Sequence, residues 1–259
     1  MSSIGEIFRD LHGTLDFKNV VNLSKIDAKE STMLAKVLNV NEKQIFFNKK
    51  GIIHSTFFYN GLFYAELMPA NTIQQIQFNS SNKHITESIQ NGIKYFNELA
   101  DKKEFETLFN CVDKKVLIKT YIDLYKLIPD DQKWEAFVNL YIRCETAFDT
   151  IPQVLLDDLI NNMAPLSKKR DKRLFELKKK THTVLPLNAD DKFKVYHGVN
   201  GTYNPNDEMS WTLSYQTAKF FANRFGAEGK VVDKKITVDE VIDYFNQRSE
   251  QEVLLKVKK

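Results

Sequence analysis

The sequence predicts an α+β protein: a small amino-terminal α/β domain over residues 1–110, then 111–259, a helical lobe followed by a strand-rich core at 193–259. Three observations lead there. Short aromatic, β-favouring runs separated by turn residues fill the stretch before residue 68. The clearest helical periodicity in the chain occupies 114–162. Beyond residue 190 the pattern changes to short alternating elements.

In order, Gln44 to Phe47, Ile52 to Tyr59 and Leu62 to Leu67 read as strands. The separators are Asn48-Lys49-Lys50-Gly51 and Asn60-Gly61, and Asn-Gly signals a hairpin because both residues tolerate positive φ. A helix follows over Ile85 to Leu99, with Ile85, Ile89, Ile93 and Phe96 as its apolar stripe. Three helices then fill 114–162. Leu117, Tyr121, Leu124 and Ile128 line the first; Pro129 ends it, and Asp130 or Asp131 can cap the second by accepting from its backbone N–H groups. Trp134, Phe137, Val138, Tyr141, Cys144 and Phe148 follow at a spacing that reads as core, and Ile151-Pro152 precedes a shorter helix over Val154 to Ile160.

Further on, Phe193 to Val199 reads as a strand and Met209 to Leu213 as another. Ser214 caps a helix to about Phe225 that turns Ala218, Phe221, Ala222 and Phe225 inward. Lys230 to Ile236 is a strand, Val238 to Phe245 a helix capped by Thr237, and Glu250 to Val257 the last strand. Alternation along that strand puts Glu250 and Glu252 on one face and Val253, Leu255 and Val257 on the other.

Composition bounds the function. With 42% hydrophobic residues, 9 Gly and 6 Pro the chain reads as folded rather than disordered. MSSIGEIFRDLHG lacks the basic start and apolar core of a signal peptide, and no run approaches the roughly 18 apolar residues of a membrane span, so the expected address is the cytoplasm, with no membrane partner. Cys111 and Cys144 are the only cysteines; they have neither zinc spacing nor the numbers for a disulfide framework, and each reads as a small core residue. Net charge is +3, yet 167–180 holds eight Lys or Arg against two acidic residues. That run reads first as a solvated helix face or linker, and second as a surface for nucleic-acid phosphates.

The chemistry gathers near the carboxy terminus. Two carboxylates on one face of a strand repel unless something binds there. Taken in order, Tyr196-His197-Gly198 ends one strand, Ser210-Trp211-Thr212 leads into a helix with Ala218 and Phe221, and Glu250-x-Glu252 opens the last strand. That succession resembles the ADP-ribosyltransferase family. Tyr196-His197-Gly198 is similar to the histidine form of its first motif, whereas Ser210-x-Thr212 and Glu250-x-Glu252 are similar to the arginine-specific branch, so the resemblance is a hybrid. It is tight over Val195 to Val257; twelve residues separate His197 from Ser210, fewer than the family's usual helix and strand need.

The resemblance implies a split β-sandwich that binds NAD and transfers ADP-ribose to a protein, nucleic-acid or nucleotide acceptor. By it, Glu252 is the catalytic carboxylate on the nicotinamide ribose, Glu250 positions the attacking nucleophile, and Ser210 and Thr212 orient Glu252. Gly198 holds the nicotinamide carboxamide through its backbone and His197 the adenosine ribose, beside Tyr196. Tyr215 or Phe221 stacks on nicotinamide, though the spacing of Phe221 also reads as core. Arg224 and Arg248 are candidates for the pyrophosphate, with surface ion pairing as the alternative. It also leaves room for a non-catalytic protein that uses such a cleft to hold a nucleotide or protein partner. The Lys, Asn and Ile richness suits a bacterium or phage with an AT-rich genome, where such proteins act as toxins or in defence and anti-defence. No glycine-rich phosphate loop, zinc motif or Ser/His/Asp arrangement occurs.

Overall fold

Two antiparallel sheets organise the chain, and each belongs to its own unit, Met1–Leu156 and Asp157–Lys259. The computed structural model describes residues 14–50, 56–67, 81–144, 150–184, 191–199, 209–224, 229–246 and 249–256. Ile52, Phe148, Phe225, Arg248 and Val257, all assigned above, lie outside the described residues, as does the side chain of Ile85. The mixed α+β class expected from the sequence is the class observed.

In the first unit, β1 (Val20–Asn22), β2 (Ile45–Asn48), β3 (Thr56–Tyr59) and β4 (Tyr64–Leu67) form a meander in sequence order. Gly61 takes φ +97 in the β3–β4 turn, the left-handed geometry anticipated from Asn60-Gly61. Helices α1 (Ala28–Leu38) and α2 (Ser81–Asp101) supply Leu34, Leu38 and Ile89 to a core shared with Ile45, Phe58 and Leu67. The other sheet face carries Phe57, Tyr59, Tyr64 and Glu66 by alternation.

That second face meets the helices that follow α3 (Phe105–Cys111). From α4 (Lys114–Leu124), Lys115 Nζ reaches Glu66 at 2.9 Å and the Thr120 hydroxyl lies 2.8 Å from that of Tyr59. Trp134 and Phe137 of α5 (Asp130–Arg143) are buried with Tyr121. The expected boundary at residue 110 is therefore displaced: 114–156 completes the amino-terminal unit and is no lobe of the carboxy-terminal one. The sheet explains why, because Phe57 and Phe58 are both buried and both faces need a cover. Pro129, not an aspartate, occupies the cap of α5; Asp130 is instead the first helical residue, with Lys133 Nζ at 2.6 Å.

Helix α6 (Gln153–Asp158) begins in the first unit, and its end crosses the division and runs into a π turn, Leu159–Met163. The basic stretch is α7 (Lys168–Val184), a helix with two working arginines rather than a linker. A five-stranded sheet follows in the order β7-β5-β6-β9-β8, all antiparallel, from β5 (Phe193–Val199), β6 (Ser210–Thr212), β7 (Lys230–Ile236), β8 (Val241–Phe245) and β9 (Glu252–Leu255). Helix α8 (Tyr215–Ala222) starts at Ser214, whose hydroxyl accepts from Thr217 N at 3.1 Å. Leu177 of α7 packs with Phe193, Val195, Trp211, Tyr244, Val253 and Leu255 on one sheet face.

One element changes type. The helix expected at Val238 to Phe245 lasts a single 3-10 turn, Val238–Glu240, where the Thr237 N–H donates to Glu240 at 2.9 Å; the chain then extends as β8. All five side chains of β8 are buried, an environment that suits the β-branched and aromatic residues of Val241-Ile242-Asp243-Tyr244-Phe245. Its outer edge is covered by α7: Arg170 Nε donates to the Ile242 carbonyl at 2.5 Å, and Arg173 grips fully buried Asp243 with bonds of 2.9 and 2.5 Å. Among the described residues no helix is long and apolar enough to cross a membrane.

Candidate functional site

The five-stranded sheet is two blocks, β7-β5 and β6-β9-β8, joined by a single ladder pair. Strand β5 pairs with β7 over seven residues and β6 with β9 over three, but among the described residues the β5–β6 ladder is a single pair, Tyr196 and Thr212. Beyond that bridge β5 carries His197, Gly198 and Val199 with no ladder to β6.

Residues directly opposite each other share a face, so Tyr196, Thr212 and Glu252 lie on one side of the sheet, with Ser210 two residues from Thr212 on the same side. The Ser210 hydroxyl donates to the Glu252 carboxylate. Thr212 is locked as well: its Oγ1 donates to the Glu250 carbonyl at 2.6 Å and accepts from Ser214 N at 3.0 Å. This cluster comes from segments 42 residues apart in Ser210 and Glu252. On the same face the Tyr215 ring, 49% exposed at the start of α8, stands edge-on to Tyr196 with centroids 5.6 Å apart.

Glu250 departs from the expected alternation. Ser249 and Gln251 both take left-handed backbone, φ 59 and φ 50, so Glu250 precedes the strand instead of lying two residues along it. Its place is set by the main chain: Thr212 holds its carbonyl, and Leu213 N donates to the Gln251 carbonyl at 3.1 Å.

His197 departs too. Alternation on β5 turns it away from Tyr196 and toward the side of Trp211, whose ring centroid is 5.4 Å from the imidazole. Its Nδ1 lies 2.8 Å from the Ser210 carbonyl, which can only accept, so Nδ1 carries a proton there. His197 and Glu252 are thus connected through opposite ends of Ser210, the imidazole at its carbonyl and the carboxylate at its hydroxyl. They do not share a face.

Gly198 has a packing reason to be glycine. A Cβ there would stand 2.2 Å from the Ala218 carbonyl and 2.5 Å from Ala222 N, so α8 lies flat on β5 at that point. Ala218 and Ala222 form the inward face of α8; Phe221, expected with them, is half-buried, edge-on to Phe220, with the Arg224 guanidinium 5.9 Å from its ring centre. Sequence reading passed over the outer face of α8, where Gln216, Lys219, Phe220 and Asn223 with Arg224 line an open furrow of about 510 Å³. The signal was their i, i+3, i+4, i+7 spacing. Lys234, 4.0 Å above the Trp211 ring, was likewise passed over.

Among the described residues no group of three or more His, Cys, Asp or Glu side chains could hold a metal ion. Comparison with known proteins adds no relative: no family model matches the chain, and no curated protein and no solved structure is significantly similar to it.

Proposed function

We propose that the carboxy-terminal unit is a mono-ADP-ribosyltransferase on a split β-sandwich, acting in the cytoplasm on NAD and on a protein or nucleotide acceptor. The observation that supports it most is the Ser210 hydroxyl on the Glu252 carboxylate, a contact the family resemblance requires and that neither residue's sequence neighbourhood would create. The sheet face that carries this carboxylate also carries the Tyr196–Tyr215 aromatic pair, and β5 beyond Tyr196 makes no ladder to β6.

In this reading the bond between C1′ of the nicotinamide ribose and the ring nitrogen breaks, and nicotinamide leaves with the electron pair. The sugar becomes an oxocarbenium-like cation that Glu252 stabilises. The acceptor's nucleophilic atom then bonds to C1′, and its proton passes to the Glu250 carboxylate or to water. Ser210 and Thr212 hold Glu252 and Glu250 in register for those two roles.

A specific observation favours a second reading. His197 is turned toward Trp211, and the space at Gly198 is taken by α8, so two of the expected NAD contacts are engaged in structure. A binding protein that holds a nucleotide without consuming it uses the same face. Nicotinamide release from labelled NAD separates the two. The transferase reading expects Glu252→Gln to lower turnover by about 10²-fold or more with little loss of NAD affinity, and Glu250→Gln to spare hydrolysis while impairing transfer. Protein that binds NAD and releases no nicotinamide supports the second reading; protein that neither binds nor consumes it overturns both.

A further inference from the structure

Helix α8 keeps its alanines inside and its large side chains outside. Close approach to Gly198 demands the small inward residues, but nothing in that packing asks for a phenylalanine on the opposite face. Phe220 is 66% exposed there. Around it in the furrow stand the Lys219 ammonium, the Arg224 guanidinium and the carboxamides of Gln216 and Asn223. Asn223 Nδ2 donates to the Lys219 carbonyl at 3.0 Å, which leaves Oδ1 as its acceptor. Among the described residues that line it there is no carboxylate.

Each of these groups has a counterpart in a nucleotide. An exposed aromatic ring stacks on a base, a carboxamide reads a base edge with one donor and one acceptor, and paired cations take a phosphate. The furrow's volume of about 510 Å³ suits one such unit. The helix itself lies on the sheet face that carries Glu252, with Tyr215 against Tyr196, and the furrow is on its outward side.

We propose that this furrow binds the base and phosphate of a nucleotide, free or within a single strand of nucleic acid, and that this nucleotide is the acceptor of ADP-ribose. The second half rests on the transferase reading. A base nitrogen or a phosphate oxygen of the bound unit forms the new bond to C1′ as the bond to nicotinamide breaks; any proton it carries goes to Glu250 or water.

The test uses the full chain and dye-labelled single strands of DNA and RNA, about 12 nucleotides long, with the matching duplex and with AMP and GMP as competitors. Fluorescence anisotropy should show single strands bound more tightly than duplex, with affinity falling as salt rises. Phe220→Ala and Lys219→Glu, both at exposed positions, should each weaken binding by about tenfold and leave nicotinamide release unchanged. Competition by the mononucleotides assigns the site to free nucleotides; its absence, with strands still bound, assigns it to polynucleotide. If neither kind of ligand binds, or both variants bind like the parent protein, the furrow is no nucleotide site, whatever NAD does. If binding and its dependence on Phe220 hold but no NAD is consumed, the transferase reading fails and the binding half stands. Labelled ADP-ribose that appears on protein and never on nucleotide or strand overturns the acceptor half alone.

Discussion

Ser210 and Glu252 were expected together only through the resemblance to the ADP-ribosyltransferase family, and a cross-strand hydrogen bond joins them. The place of Glu250 was not legible, since period two assumes extended backbone throughout, whereas Gln251 sits at φ 50. A glutamine carries no local signal for the left-handed region, which costs a side-chain-bearing residue about 1–2 kcal/mol and is imposed here by the bonds of Thr212 and Leu213 to the neighbouring carbonyls. The two cysteines divide in the same way. Cys144 is buried as expected, and that burial pushes its thiol up to about 11; Cys111, expected in the core, is exposed at the end of α3. At pH 8 a maleimide reagent should therefore label one thiol per native chain and a second only after denaturation, with Cys111→Ser abolishing the native label. Two labels on the folded protein would contradict the burial of Cys144.

At the scale of elements, β5, β7 and α8 were readable from their own residues, and β8 was not. Thr237 and Glu240 do begin a helix, but continuing it would take Val241, Ile242, Tyr244 and Phe245 out of the sheet core that buries them. Tertiary burial outweighs a capping signal worth about 1 kcal/mol. The basic run shows the same limit: charge count sees eight equivalent cations, while the fold spends Arg170 and Arg173 on the edge of β8. Removing the Asp243 carboxylate leaves the Arg173 guanidinium without its buried counter-ion, so Asp243→Ala should destabilise the unit by about 3–5 kcal/mol, read from denaturant midpoints. Lys168→Ala and Lys172→Ala, at exposed positions of the same helix, should change it by less than about 0.5 kcal/mol. Equal effects at all three positions would show that α7 does not seal the edge.

For the whole molecule, the division near Leu156 replaces the expected one at residue 110. A change of pattern from strands to helices near Asp113 was mistaken for a change of domain; the helices after it are the second cover of the first sheet. Residues 157–259 expressed alone should unfold in one cooperative transition, whereas residues 1–110, stripped of α4 and α5, should remain unfolded or aggregate. A stable 1–110 fragment would restore the earlier boundary. The single bridge between Tyr196 and Thr212 has a kinetic consequence. A seam held by one ladder pair and the His197 imidazole on the Ser210 carbonyl can breathe while both halves stay intact, so backbone amides of β5 and β6 along it should exchange with deuterium earlier than those between β5 and β7. A small molecule wedged against Ser210 and Glu252 would slow that exchange without contacting either half's interior.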